Sequence, residues 1–177
     1  MIKQKKVRVI ILVGLSGSGK SSIGKALAKQ HNMPFIDTDA AIEKRVQQSI
    51  PEIFSVGGES LFRSHELQYI LQLKPIESTI IAVGGGALTQ NKVLNHLKEI
   101  GTLIYLEADV ENLHKRLESA VSVRPLLKSQ SAQDIKLLLS QQLKRRAANY
   151  LKADCTVNAN QTSEKVIEEI NNFMKGL

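Results

Sequence analysis

The segment Gly14–Ser21 has the residue types and the spacing of a phosphate-binding loop. It reads Gly-Leu-Ser-Gly-Ser-Gly-Lys-Ser and matches G-x-x-x-x-G-K-[ST] at every fixed position. Glycines let the backbone curl so that successive N–H groups point at phosphate oxygens, and a helix that starts there adds its dipole. Lys20 is expected to reach the β- and γ-phosphates, Ser21 to hold Mg²⁺ and Ser22 to touch the α-phosphate. The sequence therefore predicts that the chain binds Mg·ATP.

The loop by itself does not select a reaction, because GTPases, motor ATPases and small-molecule kinases share it. A GTPase would carry an N-K-x-D type motif for its base, and the sequence has none. A motor or transporter ATPase usually has a longer chain and an acidic residue at the end of an apolar strand. Here the apolar run Thr79–Val83 leads into Gly84–Gly86 instead. The pattern favours a small-molecule kinase, with Asp37 as the candidate carboxylate for magnesium.

Two carboxylates, Asp37 and Asp39, follow the short apolar run Pro34–Ile36. In an open α/β sheet, ligands bind just beyond the carboxyl ends of the strands. If the chain stays extended, both side chains point the same way. One could then support magnesium through water while the other accepts hydrogen bonds from the acceptor's hydroxyls. The alternative is that Asp39 only caps the helix that follows.

Two arginines could bind an anionic acceptor. Arg63 lies one helical turn before Glu66, so the pair can orient one another, although surface ion pairs of this kind are common. Arg146 falls on the apolar stripe of its predicted helix, whereas Arg145 falls off it. An inward guanidinium needs an anionic partner, because an unpaired buried charge is very costly. Since the planar fork binds a carboxylate bidentately, two such arginines would suit a carboxylate.

The triplet Gly84, Gly85 and Gly86 follows a run predicted to be a buried strand. Glycines at such a place allow a ligand to approach bare backbone. A flexible turn explains the triplet equally well when it is viewed in isolation.

These side chains need a scaffold, and the alternation of apolar runs with helix-length segments predicts a single α/β domain over residues 1–177. The sheet should be mostly parallel and covered on both faces. The predicted strands are Val7–Val13, Pro34–Ile36, Thr79–Val83, Thr102–Leu106 and Cys155–Val157. The predicted helices are Lys20–Gln30, Ala40–Gln47, Glu59–Leu73, Lys92–Glu99, Val110–Ser119, Ala132–Leu151 and Ser163–Met174.

Residues 119–131 interrupt the helical period. Pro125 holds Arg124 away from helix, because the residue before a proline is driven towards extended conformations. The length and late position of the segment make it a candidate lid, and an ordinary loop is equally consistent with the pattern.

Composition limits the partners and the compartment. The formal net charge is +7, which makes nucleic acid a partner to consider. Basic and aromatic residues do not interleave as they do in single-strand binders, and a kinase for anionic substrates needs positive charge too. Cys155 is the only cysteine, so no internal disulfide can form and a reducing compartment is expected. With no membrane-spanning run and no heptads, we expect a cytoplasmic monomer that binds neither nucleic acid nor membrane.

In this order and spacing, the motifs closely resemble those of shikimate kinases, over nearly the whole chain. The residues that carry the resemblance are the phosphate loop, Phe35-Ile36-Asp37-Thr38-Asp39, Ser49-Ile50-Pro51-Glu52-Ile53-Phe54, Gly58-Glu59, Phe62-Arg63, Glu66, Gly84-Gly85-Gly86, Arg124-Pro125-Leu126-Leu127, and Arg146 with Tyr150. The resemblance implies a nucleoside-monophosphate-kinase type of fold, with a five-stranded parallel sheet and a mobile lid. It also implies the reaction ATP + shikimate → ADP + shikimate 3-phosphate.

The resemblance further implies a role for each candidate residue. Shikimate would be held by Asp39, Arg63, Gly84, Gly85, Gly86 and Arg146, with both arginines on its carboxylate. ATP would be held by Gly17, Ser18, Gly19, Lys20, Ser21, Ser22, Arg116 near the adenine and Arg124 reaching from the lid. Magnesium would be held by Ser21 and, through water, Asp37, and catalysis would depend on Lys20, Asp39 and Arg124.

Three alternatives remain at this point. Gluconate kinase has a similar loop, but its acceptor-side pattern is missing here. A nucleoside monophosphate kinase would need base recognition, and two arginines with an aspartate fit a hydroxylated carboxylate better. A non-catalytic nucleotide-binding regulator would not need Lys20, Asp37, Asp39 and Arg124 all intact.

Overall fold

Strands and helices alternate along the chain, as the apolar runs predict. The structure is a computed structural model that describes residues 8–75, 77–119 and 131–177. Its strands are β1 (Val9–Val13), β2 (Phe35–Asp37), β3 (Thr79–Ala82), β4 (Thr102–Glu107) and β5 (Cys155–Asn158). Its helices are α1 (Lys20–His31), α2 (Thr38–Val46), α3 (Ile50–Leu71), α4 (Asn91–Ile100), α5 (Val110–Ser119), α6 (Ala132–Tyr150) and α7 (Ser163–Lys175), with a 3₁₀ turn at Ala87–Thr89.

The five strands form one sheet in the order β2-β3-β1-β4-β5, and every neighbouring pair is parallel. All carboxyl ends therefore lie at the same edge of the sheet. The segments that follow β1, β2, β3 and β5 meet at that edge, which is where open α/β sheets bind ligands. The predicted five-stranded parallel sheet is confirmed.

Both faces of the sheet are covered. In the fully buried β1, Ile10 and Leu12 belong to one apolar cluster, and Ile11 and Val13 belong to the other. Residues of α1, α5, α6 and α7 pack in the first cluster, and residues of α3, α4 and the end of α6 pack in the second. Side chains alternate across a strand, so a continuous aliphatic run such as β1 requires helices on both sides. This confirms the predicted three-layer α/β arrangement.

Helix α3 differs from its prediction, which placed a helix only over Glu59–Leu73. It begins at Ile50 because Ser49 forms a capping box with Glu52: the Ser49 hydroxyl accepts from the Glu52 backbone N–H, and the Glu52 carboxylate accepts from the Ser49 backbone N–H. The helix is kinked at Gly57 and Gly58, where Gly58 has a φ of 65°. The two glycines interrupt the helical spacing of the apolar residues, so the first half of the helix was not predicted.

Small differences also occur in α2 and α6. Helix α2 starts at Thr38, two residues before the predicted start. The apolar stripe predicted for α6 includes Ile135, Leu138 and Leu139, but Leu138 is 40% exposed. The stripe is narrower than predicted because α6 is buried mainly through Ile135, Leu139 and Tyr150.

The predicted lid spans residues 119–131. Residues 120–130, including Arg124, lie outside the described residues. The two helices beside them are defined: α5 ends at Ser119, and Ser131 caps α6 by accepting a hydrogen bond from the backbone N–H of Asp134 at 3.2 Å. Among the helices that the structure describes, none is both long and apolar enough to cross a membrane.

Candidate active site

The phosphate loop lies between the end of β1 and the start of α1. Gly14 and Gly17 have φ angles of 143° and 88°, which L side chains rarely adopt. The loop is also tightly packed. A Cβ on Gly14 would lie 2.7 Å from the Leu106 carbonyl oxygen, and one on Gly17 would lie 3.1 Å from that of Leu113. These two glycines therefore let the loop curl against β4 and α5.

Lys20 lies across the loop that precedes it. Its Nζ donates hydrogen bonds to the carbonyl oxygens of Gly14 and Leu15, at 2.9 Å and 3.0 Å. The ammonium group is thus held beside the loop, at the N-terminal end of α1. A cation at this point and the helix dipole both favour the binding of phosphate.

Ser21 and Asp37 join the phosphate loop to the end of β2. The Ser21 hydroxyl donates to Asp37 Oδ2 at 2.5 Å, and Asp37 Oδ1 accepts from the backbone N–H of Asp39 at 3.1 Å. Asp37 is therefore the N-cap of α2, which settles the capping question raised for Asp39. A hydroxyl and a carboxylate are hard oxygen donors that suit Mg²⁺. Within the described ranges, no group of three or more His, Cys, Asp or Glu residues could hold a metal ion.

Arg116 connects the phosphate loop to the segment after β5. One guanidinium nitrogen donates to the Ala159 carbonyl oxygen at 2.6 Å, and the other approaches the Ser18 carbonyl oxygen at 3.5 Å. Gln161 and Ser163 of that segment line a cavity that Arg116 and the phosphate loop also line. No residue of this segment was predicted to line the site, although its place at the carboxyl end of β5 was a usable signal.

Asp39, Glu66 and Gly84 meet on the acceptor side. A Cβ on Gly84 would lie 2.7 Å from Asp39 Oδ1 and 2.5 Å from Glu66 Oε1. A hydrogen bond also holds the Gly84 backbone in place, because its N–H donates to the buried Thr38 hydroxyl at 3.1 Å. A residue other than glycine would therefore collide with both carboxylates. This close packing explains why position 84 requires glycine, which a flexible turn alone would not.

Arg63 is held between two carboxylates of its own helix. Its Nη1 donates to Glu66 Oε2 at 2.6 Å, and its Nε and Nη2 donate to Glu59 Oε1 at 3.1 Å and 3.0 Å. Glu66 is fully buried, and burial raises its pKa, with Arg63 opposing the rise and Asp39 adding to it. The guanidinium also lies next to Gly86, where any Cβ would run into it. The glycine triplet thus makes room for Arg63.

Arg146 and Tyr150 share one acceptor, the carbonyl oxygen of Gly85. Arg146 Nη1 donates to it at 3.2 Å, and the Tyr150 hydroxyl donates to it as well. Arg146 is half-buried and Arg145 is exposed, as the helical stripe predicted. Arg146 forms no ion pair with any residue of the described ranges. Its charge nevertheless acts on the buried Glu66, because Arg146 helps to lower the pKa of that carboxyl against the larger effect of burial. The anionic partner that the sequence suggested for Arg146, a bound carboxylate, stays a prediction.

A cavity of about 380 Å³ runs from the phosphate loop to the acceptor side. Residues 16–23 line the cavity together with Asp37, which contacts Ser21, and with Asp39 and Gly85 of the acceptor side. Arg146 lies beside the cavity, in contact with Gly85. The fold thus brings the phosphate loop and two carboxylates to one space, with an arginine next to it.

The family model described as shikimate kinase matches residues 16–175. A shikimate kinase of Chlorobium chlorochromatii (strain CaD3) is 36% identical, over 98% of this chain and 96% of that protein. The chain belongs to the shikimate kinase family. The solved structure of shikimate kinase from Acinetobacter baumannii in complex with shikimate is 31% identical, covers 97% of this chain and 94% of that one, and has a TM-score of 0.88.

A kinase of a different named activity shares the fold with much lower sequence identity. A gluconokinase from Sinorhizobium meliloti 1021 covers 94% of this chain and 90% of that one, with a TM-score of 0.57, but is only 15% identical. At that identity the likeness shows the fold alone. The family match therefore separates this chain from a kinase that shares its architecture.

Membership of the shikimate kinase family confirms the predicted enzyme class. The chain is an ATP-using kinase, that is, a phosphotransferase. The predicted fold class is confirmed as well, since the solved shikimate kinases share the sheet and its helices. The roles of the individual site residues stay predictions. Those of Lys20, Asp39 and Arg146 are developed below, and that of Arg124 concerns a residue outside the described ranges.

Proposed function

We propose that the chain transfers the γ-phosphoryl group of Mg·ATP to the 3-hydroxyl of shikimate and releases ADP and shikimate 3-phosphate, a step of chorismate and aromatic amino-acid biosynthesis. The observation that carries the proposal is the single cavity shared by the phosphate loop and Asp39 in a chain of the shikimate kinase family. Phosphoryl transfer needs the two substrates in line, so a shared cavity is the main geometric requirement.

The donor end of the cavity binds ATP through the phosphate loop. Lys20 turns from the Gly14 and Leu15 carbonyl oxygens towards the β- and γ-phosphates and neutralises the charge that develops there. Ser21 and, through water, Asp37 would hold Mg²⁺, which supplies further charge neutralisation when bound. Arg116 lies where it can pack beside the adenine, between the loop and Ala159.

The acceptor end binds the hydroxylated carboxylic acid. Arg63 and Arg146 receive the carboxylate of shikimate, a partner that suits the planar guanidinium fork. Asp39, next to Gly84, accepts hydrogen bonds from the ring hydroxyls and orients the 3-hydroxyl towards the γ-phosphate. The same carboxylate is placed to take the hydroxyl proton as the new P–O bond forms. Arg124, predicted to reach the phosphates, completes the charge stabilisation in this scheme.

The proposal is tested by measuring ADP release from Mg·ATP with shikimate, with gluconate, with nucleoside monophosphates and without acceptor. We expect strong stimulation by shikimate alone, and a product that carries one phosphate on the 3-oxygen by ³¹P and ¹H NMR. Stimulation by a different acceptor would keep the kinase and discard the acceptor assignment. ATP binding without release under any condition would favour the regulator and overturn the proposal.

A further inference from the structure

Tyr150, the last residue of α6, is buried beneath the glycine triplet. Its side chain is 1% exposed, and its ring stacks on that of Tyr105 with 5.0 Å between centroids and 20° between planes. The packing leaves the ring little freedom, so its hydroxyl has a fixed position. That hydroxyl donates to the carbonyl oxygen of Gly85, one of the residues that line the cavity.

The Gly85 carbonyl oxygen has two donors from the same helix. A carbonyl oxygen can accept two hydrogen bonds, so Arg146 and Tyr150 can bind it together. If Arg146 alone held this oxygen, moving its guanidinium to a ligand would leave a part-buried acceptor without a protein partner, which is unfavourable. With Tyr150 in place, the oxygen keeps one hydrogen bond and Arg146 can leave.

Gly85 also packs against the phosphate loop. A Cβ built on it would lie 3.1 Å from the backbone nitrogen of Ser16 and 3.4 Å from the carbonyl oxygen of Gly14. A shift of Gly85 would therefore press on the phosphate loop as well as on the acceptor side. Burial raises the pKa of Tyr150 to about 12, so the hydroxyl keeps its proton and remains a donor at neutral pH.

We propose that Tyr150 is a positioning residue for the acceptor: it holds the Gly85 carbonyl so that Arg146 can exchange that oxygen for the acceptor's carboxylate. This inference rests on the proposed function, because it takes shikimate as the ligand of Arg146. Tyr150 does not touch the substrate in this scheme. It acts through Gly85 and Arg146, and its effect should appear in acceptor binding more than in turnover.

The test compares Tyr150→Phe with Tyr105→Phe, which removes a hydroxyl from the other ring of the stacked pair and leaves both Gly85 hydrogen bonds in place. In Tyr150→Phe we expect the KM for shikimate to rise about three- to tenfold, the effect of one hydrogen bond, with the KM for ATP and kcat changed less than about twofold. Tyr105→Phe should behave as wild type. The free Tyr150→Phe enzyme should unfold in urea at nearly the wild-type midpoint, since Arg146 still holds Gly85, but shikimate should stabilise it less.

A double-mutant cycle adds a readout that a purely structural role would not move. Because Tyr150 acts through Arg146, the effect of Tyr150→Phe on the shikimate KM should largely vanish in an Arg146→Lys background. Independent, additive effects would overturn the proposal. So would an unchanged shikimate KM in Tyr150→Phe, or equal losses in both phenylalanine variants. If the wild-type enzyme shows no shikimate-stimulated ADP release, the proposed function itself fails, and that result is distinct from any of these.

Discussion

The phosphate loop and the acceptor side of the cavity are built in different ways. The donor end is dominated by one continuous segment, residues 16–23, whose chemistry comes mainly from backbone groups and one lysine, with Arg116 and the segment after β5 beside it. The acceptor side collects side chains from α2, α3 and α6 around a glycine triplet. These side chains depend on one another: Arg63 on Glu59 and Glu66, and Arg146 on Gly85.

The difference has a consequence for mutations. A change in the phosphate loop should affect phosphoryl transfer whatever the acceptor is, because every acceptor uses the same donor. A change on the acceptor side should affect the KM for the acceptor and leave nucleotide binding nearly intact. Three substitutions test this division and a fourth tests the charge state of a buried acceptor-side carboxyl, from the largest expected effect to the smallest.

Lys20→Ala should have the largest effect. A group that stabilises charge on the transferring phosphoryl contributes roughly 10³–10⁵ in turnover, so we expect kcat to fall by about that factor with every acceptor. Steady-state ADP release provides the measurement. Lys25→Ala, an exposed lysine of the same helix, is the matched control and should retain activity. An intact kcat in Lys20→Ala would show that the phosphate-loop assignment is wrong.

Arg146→Ala should separate the two regions most clearly. Losing one partner of a desolvated charge pair typically costs about 2–5 kcal/mol. We therefore expect the KM for shikimate to rise very roughly 30- to several-thousand-fold, with little change in ATP affinity. The neighbouring Arg145→Ala is the control, because Arg145 is exposed. If Arg146→Ala kept a normal acceptor KM and kcat, Arg146 would not belong to the site.

Gly84→Ala should disturb the acceptor side without removing a functional group. The added methyl would meet Asp39 Oδ1 and Glu66 Oε1, so both carboxylates must move. Misplacing a positioning group by about 1 Å can cost roughly a hundredfold, and we expect kcat/KM for shikimate to fall about ten- to a hundredfold. Gly176→Ala, near the C-terminus and 3.4 Å from the Phe173 carbonyl oxygen, is the control. An equal loss of ATP affinity in Gly84→Ala would break the proposed division.

Glu66→Gln should give the smallest effect, a change in the free energy of unfolding that depends on pH. Burial raises the pKa of Glu66, so the folded protein binds this proton more tightly than the unfolded chain. The contribution to the free energy of unfolding is therefore complete below the unfolded pKa of about 4.3 and is lost as pH rises through the folded pKa. We expect the free energy of unfolding of wild type minus that of Glu66→Gln to decrease with rising pH in urea titrations. A difference that increases would contradict the raised pKa.

The sequence predicted much of the scaffold from local rules. Apolar runs predicted the three inner strands β1, β3 and β4, because a parallel strand buried on both faces must be apolar throughout. The edge strands β2 and β5 were predicted from shorter and weaker apolar runs. The first half of α3 was missed although Ser49 and Glu52 spelled its capping box, since Gly57 and Gly58 broke the helical period. The start of α2 was misplaced because Asp37, rather than a later residue, caps it.

The phosphate loop was determined by the sequence alone, because its residues are contiguous and its chemistry follows from backbone geometry that glycines and a helix start impose locally. The acceptor side was suggested by residue types and by family resemblance, but its geometry was decided only by the tertiary structure. No local rule states that Glu66 would be fully buried beside Asp39, or that Arg146 and Tyr150 would meet at the Gly85 carbonyl. These contacts join residues far apart in the chain, and only the packing of α2, α3 and α6 on the sheet creates them.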